Sequence, residues 1–326
     1  MNYILVAGYG WSGSSALVDM LKEYDNCYEA DIEFRLIKDP KGLRDLYDSI
    51  ITKWDALNVD IALRDFRWFA KHLNARRSKY TLFSGLGYYD FFGPNFINAT
   101  NQFLSEIVEF DYSSHWFYLD FMCSRVQLLN HRIKRKLKTD KSVMEFSAIS
   151  EENFISASNK YINNIFNSII DSSKYDSIVL DQAVSAQNCL EEMRFIPNSK
   201  LIIVDRDPRD IYSDLMKDGN LLGKELQISH DVGKYVQWHR ALRKSKERWQ
   251  DNRNILTIHF EDLIQDYDKT EKMIEAFLGL NHSKHTNRMK YFNPDASRKN
   301  TGIWKTVLSS EEMQILEREL ITDFVK

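Results

Sequence analysis

The first residues that could do chemistry lie near the amino terminus, in the run Gly8-Tyr9-Gly10-Trp11-Ser12-Gly13-Ser14-Ser15. Glycines at this spacing let backbone N–H groups converge on an anion, and a helix starting at the serines adds its positive end. A nucleoside-triphosphate loop reads G-x-x-x-x-G-K-[ST], with lysine on the terminal phosphates and the hydroxyl on Mg²⁺. Here Ser14 occupies the lysine slot. The segment therefore fits phosphate binding without ordinary ATPase or kinase chemistry; a plain glycine turn is the alternative reading of it alone.

A second cationic centre is Val204-Asp205-Arg206-Asp207-Pro208-Arg209-Asp210-Ile211-Tyr212-Ser213. It reads as a strand that ends in two arginines and enters a helix, where guanidinium groups can grip a second phosphate. Alone, it is equally a surface salt-bridge cluster. A third is Ser297-Arg298-Lys299-Asn300-Thr301-Gly302-Ile303-Trp304-Lys305, in which the indole can cover a purine while the cations take phosphate charge. By itself it would be a solvated loop.

These groups need elements to hold them. Tyr3-Ile4-Leu5-Val6-Ala7 is a short apolar strand run ended by Gly8, and Ala16 to Leu21 takes up helical spacing. Lys200 to Asp205 fits a buried parallel strand, and 177–180 and 254–258 are two more short strands. Strands alternating with helices predict an α/β fold, a mostly parallel central sheet covered by helices on both faces. Residues from about 43 to 175 read as a large helical, aromatic-rich insertion packed on the same sheet, within a single domain spanning residues 1–326. It carries Tyr80, Phe83, Tyr88, Tyr89, Phe91, Phe92, Phe96, Trp116, Phe117 and Tyr118, most of them expected in the core. The run His131-Arg132-Ile133-Lys134-Arg135-Lys136-Leu137-Lys138 is expected to be a solvated helix face, or a site for an anionic glycan or protein.

Composition sets outer limits. The chain has 326 residues, 43% hydrophobic and 28% charged, enough to bury a core without staples. Its formal charge of −3 is too balanced to attract nucleic acid or anionic membrane as a whole, so any anion site is local. Cys27, Cys123 and Cys189 have no metal-ligand spacing, and their odd number argues for a reducing compartment. No apolar run is long enough to span a bilayer and no leader pattern opens the chain, so a cytoplasmic location is expected.

Taken together and in this order, the three motifs resemble the sulfotransferases that use 3′-phosphoadenosine 5′-phosphosulfate. The first loop looks like the family's 5′-phosphosulfate loop and the R-D-P-R-D segment like its 3′-phosphate motif. The third is similar to its R-K-x-x-G-x-W-K loop over the nucleotide. His259-Phe260-Glu261-Asp262-Leu263 with Phe277-Leu278-Gly279-Leu280 resembles its late E-D-L and F-L-G elements. The resemblance covers residues 1 to about 40 and 177 to 320. It implies a P-loop-like sulfotransferase fold and in-line sulfuryl transfer to a hydroxyl, or less readily an amine, without an obligatory metal. A small-molecule or glycan acceptor is implied, with carbohydrate suggested by the insertion and its aromatics.

By the same resemblance, Ser12, Gly13, Ser14 and Ser15 would bind the 5′ side of the donor. Arg206 would bind its 3′-phosphate, with Ser213, Arg298, Lys299 and Trp304 assisting. Glu33, followed two residues later by Arg35, stands where tyrosylprotein-type members place a catalytic carboxylate; Glu33 would be the base and Arg35 an acceptor clamp. A salt-bridged surface strand is the competing reading. Asp181 and Gln182 fall where relatives carry Glu-Lys or Lys beside the acceptor, and His115 is a third acid/base candidate. Trp11 stands where the family loop has Lys or Arg, Asp214 where a serine follows the 3′-phosphate arginine, and the last loop is one residue shorter. A nucleotide-binding module without transferase activity and a kinase-like enzyme are the alternative functions.

Overall fold

The computed structural model describes residues 1–76, 85–114, 124–137, 143–167, 169–218 and 231–325, the side chain of Arg135 excepted. The chain divides into two compact units, Met1–Arg35 with Ile170–Lys326, and Leu36–Ile169.

The first unit is built on a five-stranded sheet in the order β2-β5-β1-β6-β7. The strands are β1 (Asn2–Gly8), β2 (Cys27–Glu33), β5 (Ser177–Asp181), β6 (Ser199–Asp205) and β7 (Ile255–His259), every pair parallel. Burial explains the unbroken apolar runs: Tyr3 to Ala7 of β1 and Leu201 to Asp205 of β6 are all sealed from solvent. Helix α1 (Ser14–Leu21) presents Leu17, Val18, Met20 and Leu21 to the sheet. There they meet Ile4, Val6, Ile202 and Val204 together with Leu263 and Ile274 from two later helices. Those are numbered below as α8 (Phe260–Gln265) and α9 (Tyr267–Leu278). A second cluster joins α6 (Pro208–Asp218), α7 (Val232–Arg243) and α10 (Ser310–Leu320) through Tyr212, Tyr235 and Leu316.

This order places the chemistry. β5 and β6 flank β1 on opposite sides, so the segment leaving the carboxyl end of β1 opens between them, where ligands bind in open parallel sheets. Strand β2 does not run evenly: its register against β5 shifts between Glu29 and Glu33, with Asp31 at a φ of +52°. Lys22, at the end of α1, pairs with both Glu29 and Asp31 at 2.9 Å and ties the irregular stretch down.

Among its described residues the second unit holds four longer helices, α2 (Ala56–Asn74), α3 (Asn95–Ile107), α4 (Arg125–Lys136) and α5 (Glu151–Asn167). It also holds an antiparallel pair, β3 (Phe110–Ser113) with β4 (Val143–Phe146), which the sequence did not announce because each strand is only four residues long. Its aromatics make a core: Phe103 stacks on Tyr161 at 4.8 Å, and Tyr88, Phe92 and Phe96 are buried against one another. Tyr80, Phe83, Trp116, Phe117 and Tyr118 lie outside the described residues. Of the basic run, His131 to Lys136 falls on α4, where Val126, Leu129 and Ile133 are also exposed; Leu137 is exposed just beyond it, and Lys138 lies outside the described residues.

Candidate functional site

The loop between β1 and α1 is braced from within. Ser12 is buried, and its Oγ accepts the Tyr9 amide at 3.2 Å. Gly8 has no room for a side chain because a Cβ would strike that same Oγ. Gly13, at a φ of +80°, precedes the helix, and a Cβ there would run into the ring of Phe260. Among the described residues no side chain caps the start of α1. The helix therefore presents its first turn, with its positive end, to whatever anion reaches the loop. Ser14, in the slot a lysine would fill, accepts a hydrogen bond from the Gln182 side-chain amide at 3.2 Å, which leaves the serine O–H as a donor.

Arg206 follows β6 and is 5% exposed. Its NH1 donates to the Trp11 carbonyl of the first loop at 2.9 Å and to Asp214 at 2.6 Å, and its NH2 to the Asn300 carbonyl of the third motif at 2.5 Å. One guanidinium thus ties together all three motifs read from the sequence. Its Nε is buried and has no partner among the described residues. The expected helper Ser213 is buried and spends its hydroxyl on the Arg209 carbonyl at 2.8 Å; the residue that reaches Arg206 is its neighbour Asp214.

Carboxylates hold this edge in shape. Asp205 takes the Arg206 amide at 2.9 Å and both arms of Arg243. Burial alone would raise its pKa, but Arg243 overrides this and holds the carboxyl below its ordinary range. Asp210 accepts the Gly302 and Trp304 amides at 2.7 and 3.1 Å and so fastens the last loop, although burial pushes its pKa up. Asp207 braces Arg209, whose guanidinium lies between the rings of Trp304 at 4.2 Å and Phe324 at 4.0 Å. Trp304 is thereby held against a cation of its own chain. Arg298 is exposed and pairs only loosely with Asp295 at 3.4 Å; Lys299 is exposed beside it.

Behind them lies Glu261. One of its oxygens accepts the Asp207 amide at 3.0 Å, the other is buried without a partner, and burial raises its pKa to about 7.

Glu33 and Asp181 are partners across the β2–β5 ladder, at the carboxyl ends of adjacent strands. Glu33 is half exposed and accepts from Arg35 at 2.7 Å, the contact that the competing reading of a salt-bridged surface strand expects. Gln182, at a φ of +56°, connects this side to the loop through Ser14. His115 lies outside the described residues. The sequence singles out Asp214 by its spacing of eight from Arg206, as a departure from the family's serine and not as the partner of the arginine that it is here. It gives no sign of the Asn300 carbonyl as a partner or of the packing of Phe260 under Gly13.

Residues 101–284 match the family described as "Sulfotransferase family". No curated protein matches the sequence. Among solved structures, sulfotransferase STF9 from Mycobacterium avium overlays 99% of this chain and 76% of its own, with 14% identity and a TM-score of 0.41. The sulfotransferase domain of the Synechococcus PCC 7002 olefin synthase covers 98% and 94%, with 11% identity and a TM-score of 0.42. Mouse sulfotransferase SULT7A1 complexed with PAP covers 46% and 69%, with 18% identity and a TM-score of 0.33.

Proposed function

Because this chain belongs to the sulfotransferase family, we propose that it moves a sulfuryl group from 3′-phosphoadenosine 5′-phosphosulfate to a hydroxyl of a carbohydrate acceptor. One observation carries the donor: an uncapped helix start at Gly13 meets a buried arginine that bonds the same loop and keeps one N–H unmatched. The cradles at Gly8 and Gly13, which any side chain would fill, fit a phosphate drawn in against backbone. Ser12, Gly13, Ser14 and Ser15 would hold the 5′ side, and Arg206 the 3′-phosphate with Arg298 and Lys299 at the rim. Trp304, held on Arg209, would shape the loop over the base.

When bound, the donor supplies an activated sulfuryl group whose bond to the phosphate oxygen breaks as the acceptor oxygen attacks. The chain's own part is positioning and charge. The positive end of α1 and the Ser14 hydroxyl face the charge that gathers on the leaving oxygen. Glu33 takes the acceptor proton, Arg35, in contact with it, clamps the acceptor, and Asp181 lies beside Glu33 on the next strand. The carbohydrate assignment comes only from the aromatic-rich composition of residues 43 to 175. Transfer without binding a metal and a cytoplasmic location complete this reading.

Transfer of label from radiolabelled donor to a panel of hydroxylated glycans and small molecules tests the activity. Binding of 3′-phosphoadenosine 5′-phosphate (PAP), measured by calorimetry, tests the grip: Arg206→Ala should weaken it by about tenfold or more. Glu33→Gln should cut turnover by about 10²- to 10⁴-fold with PAP affinity unchanged. Turnover near wild type would move the base role to Asp181 or His115. A nucleotide-binding module without transfer is the second reading, favoured by Trp11 and Gln182 standing where cations are expected; PAP binding with no transfer to any acceptor would establish it.

A further inference from the structure

Arg206 carries a full charge in a place that water hardly reaches, and the structure already supplies its counter-charge. Of its hydrogen-bond partners among the described residues, the Trp11 and Asn300 carbonyls are neutral backbone groups, and only Asp214, 2.6 Å from NH1, is an anion. The two residues differ in freedom. The Arg206 side chain is 5% exposed and fixed at three points, whereas that of Asp214 is 27% exposed, on the solvent-reaching side of the pair.

We propose that Asp214 is a built-in stand-in for the donor's 3′-phosphate, neutralising Arg206 in the free protein and competing with the nucleotide for it. The inference rests on the donor assignment above. A buried cation without a counter-charge is costly, so a chain that must keep Arg206 in place between nucleotides gains from carrying its own anion. When a phosphate arrives, two anions face one guanidinium, and like charges at that range repel. The backbone carbonyls have no charge to repel and no freedom to leave. Asp214 does, and turning it toward water gives the arginine to the phosphate while the bonds that join the loops persist. The same competition acts in reverse after transfer: the carboxylate returns to Arg206 and helps expel the spent nucleotide. Asp214 therefore lowers affinity for 3′-phosphorylated nucleotides specifically and shortens their stay.

The test compares PAP with adenosine 5′-phosphate, which lacks only the 3′-phosphate, on wild-type protein and Asp214→Asn. Calorimetry should show PAP binding about tenfold or more tighter to the variant, with adenosine 5′-phosphate affinity within about threefold of wild type. Stopped-flow dissociation of PAP should slow to match. Asp214→Ala, which removes the charge without placing a hydroxyl where the family carries its serine, gives the same comparison if the asparagine variant is too unstable to handle. If wild type prefers PAP over adenosine 5′-phosphate and removing the Asp214 charge leaves PAP affinity unchanged or weaker, the competition is overturned while the donor assignment stands. If neither wild type nor variant distinguishes the two nucleotides, the donor assignment itself falls and takes this inference with it.

Discussion

Glu23 and Arg206 are both charged side chains sealed inside the same α/β unit, and their surroundings are completed to different degrees. Glu23, just past α1, uses both oxygens: one accepts the Tyr291 and Phe292 amides at 2.8 and 2.9 Å, the other the Met289 amide at 2.9 Å and His285 at 2.8 Å. His285 continues to Glu271 at 2.5 Å, Arg288 binds Glu271 from the side, and Tyr24 stacks on the imidazole at 4.2 Å. Arg206 keeps a buried N–H unmatched, and Glu261 a buried oxygen. An unpaired buried polar group is a pure cost to a structural tie, so a tie closes every bond it can. A binding site must keep capacity that a ligand can claim. Burial of charge does not separate Glu23 from Arg206; the completeness of each side chain's own pairing does.

The largest expected effect breaks the closed region. Glu23→Ala leaves three amides and His285 without their acceptor, and should cost about 3 to 5 kcal/mol in urea unfolding. The fraction that stays folded should bind PAP as wild type does. A loss under about 1 kcal/mol would show that the network is ornamental and the contrast misplaced.

Next comes Glu261, which sharpens the contrast through pH. Its folded pKa of about 7 lies above the ordinary 4.5, so the folded state holds its proton more tightly than the unfolded chain. The stability this gives is fully present below about pH 4.5 and is lost as pH rises through about 7, to a total of up to about 3 kcal/mol. Relative to Glu261→Gln, wild type should therefore lose stability between pH 5 and 8, read from denaturant midpoints at each pH. Parallel curves for the two proteins would mean that Glu261 is ionised in the fold and its second oxygen finds a partner.

The smallest expected stability effect belongs to Arg206. Arg206→Ala should cost about 1 to 3 kcal/mol, less than Glu23→Ala, because Asp214 can turn to water once its partner is gone. It should nonetheless be the variant that loses nucleotide. If Arg206→Ala destabilises as much as Glu23→Ala without changing PAP affinity, the two regions are alike and both are structural.

The sequence announces what neighbours in the chain decide. The strands at 3–7, 177–180, 200–205 and 254–258 are legible because a strand buried on both faces is an unbroken apolar run, and the glycine loop is legible because its residues are consecutive. Arg206 stands out as a cation at a strand end. What it touches does not, since Trp11 is 195 residues away and Asn300 is 94. The Glu23–His285 contact spans 262 residues and leaves no local pattern at all. Trp304 shows the intermediate case: an indole in a basic loop reads as a lid for a base, yet the cation that one of its faces meets is Arg209, set by a fold contact that no spacing encodes.

Trp11 has one more consequence, which concerns mutational access. Its backbone sits at a φ of +51°, its carbonyl holds Arg206, and its ring packs on the cluster of Tyr212, Tyr235 and Leu316. A lysine placed there would inherit the strained backbone and give up the indole's packing, opening a gap between the loop and three helices. The cation that the loop lacks is therefore not one substitution away. A cation placed at this position would need that space filled from another residue, so charge is added at lower cost to stability elsewhere on the rim.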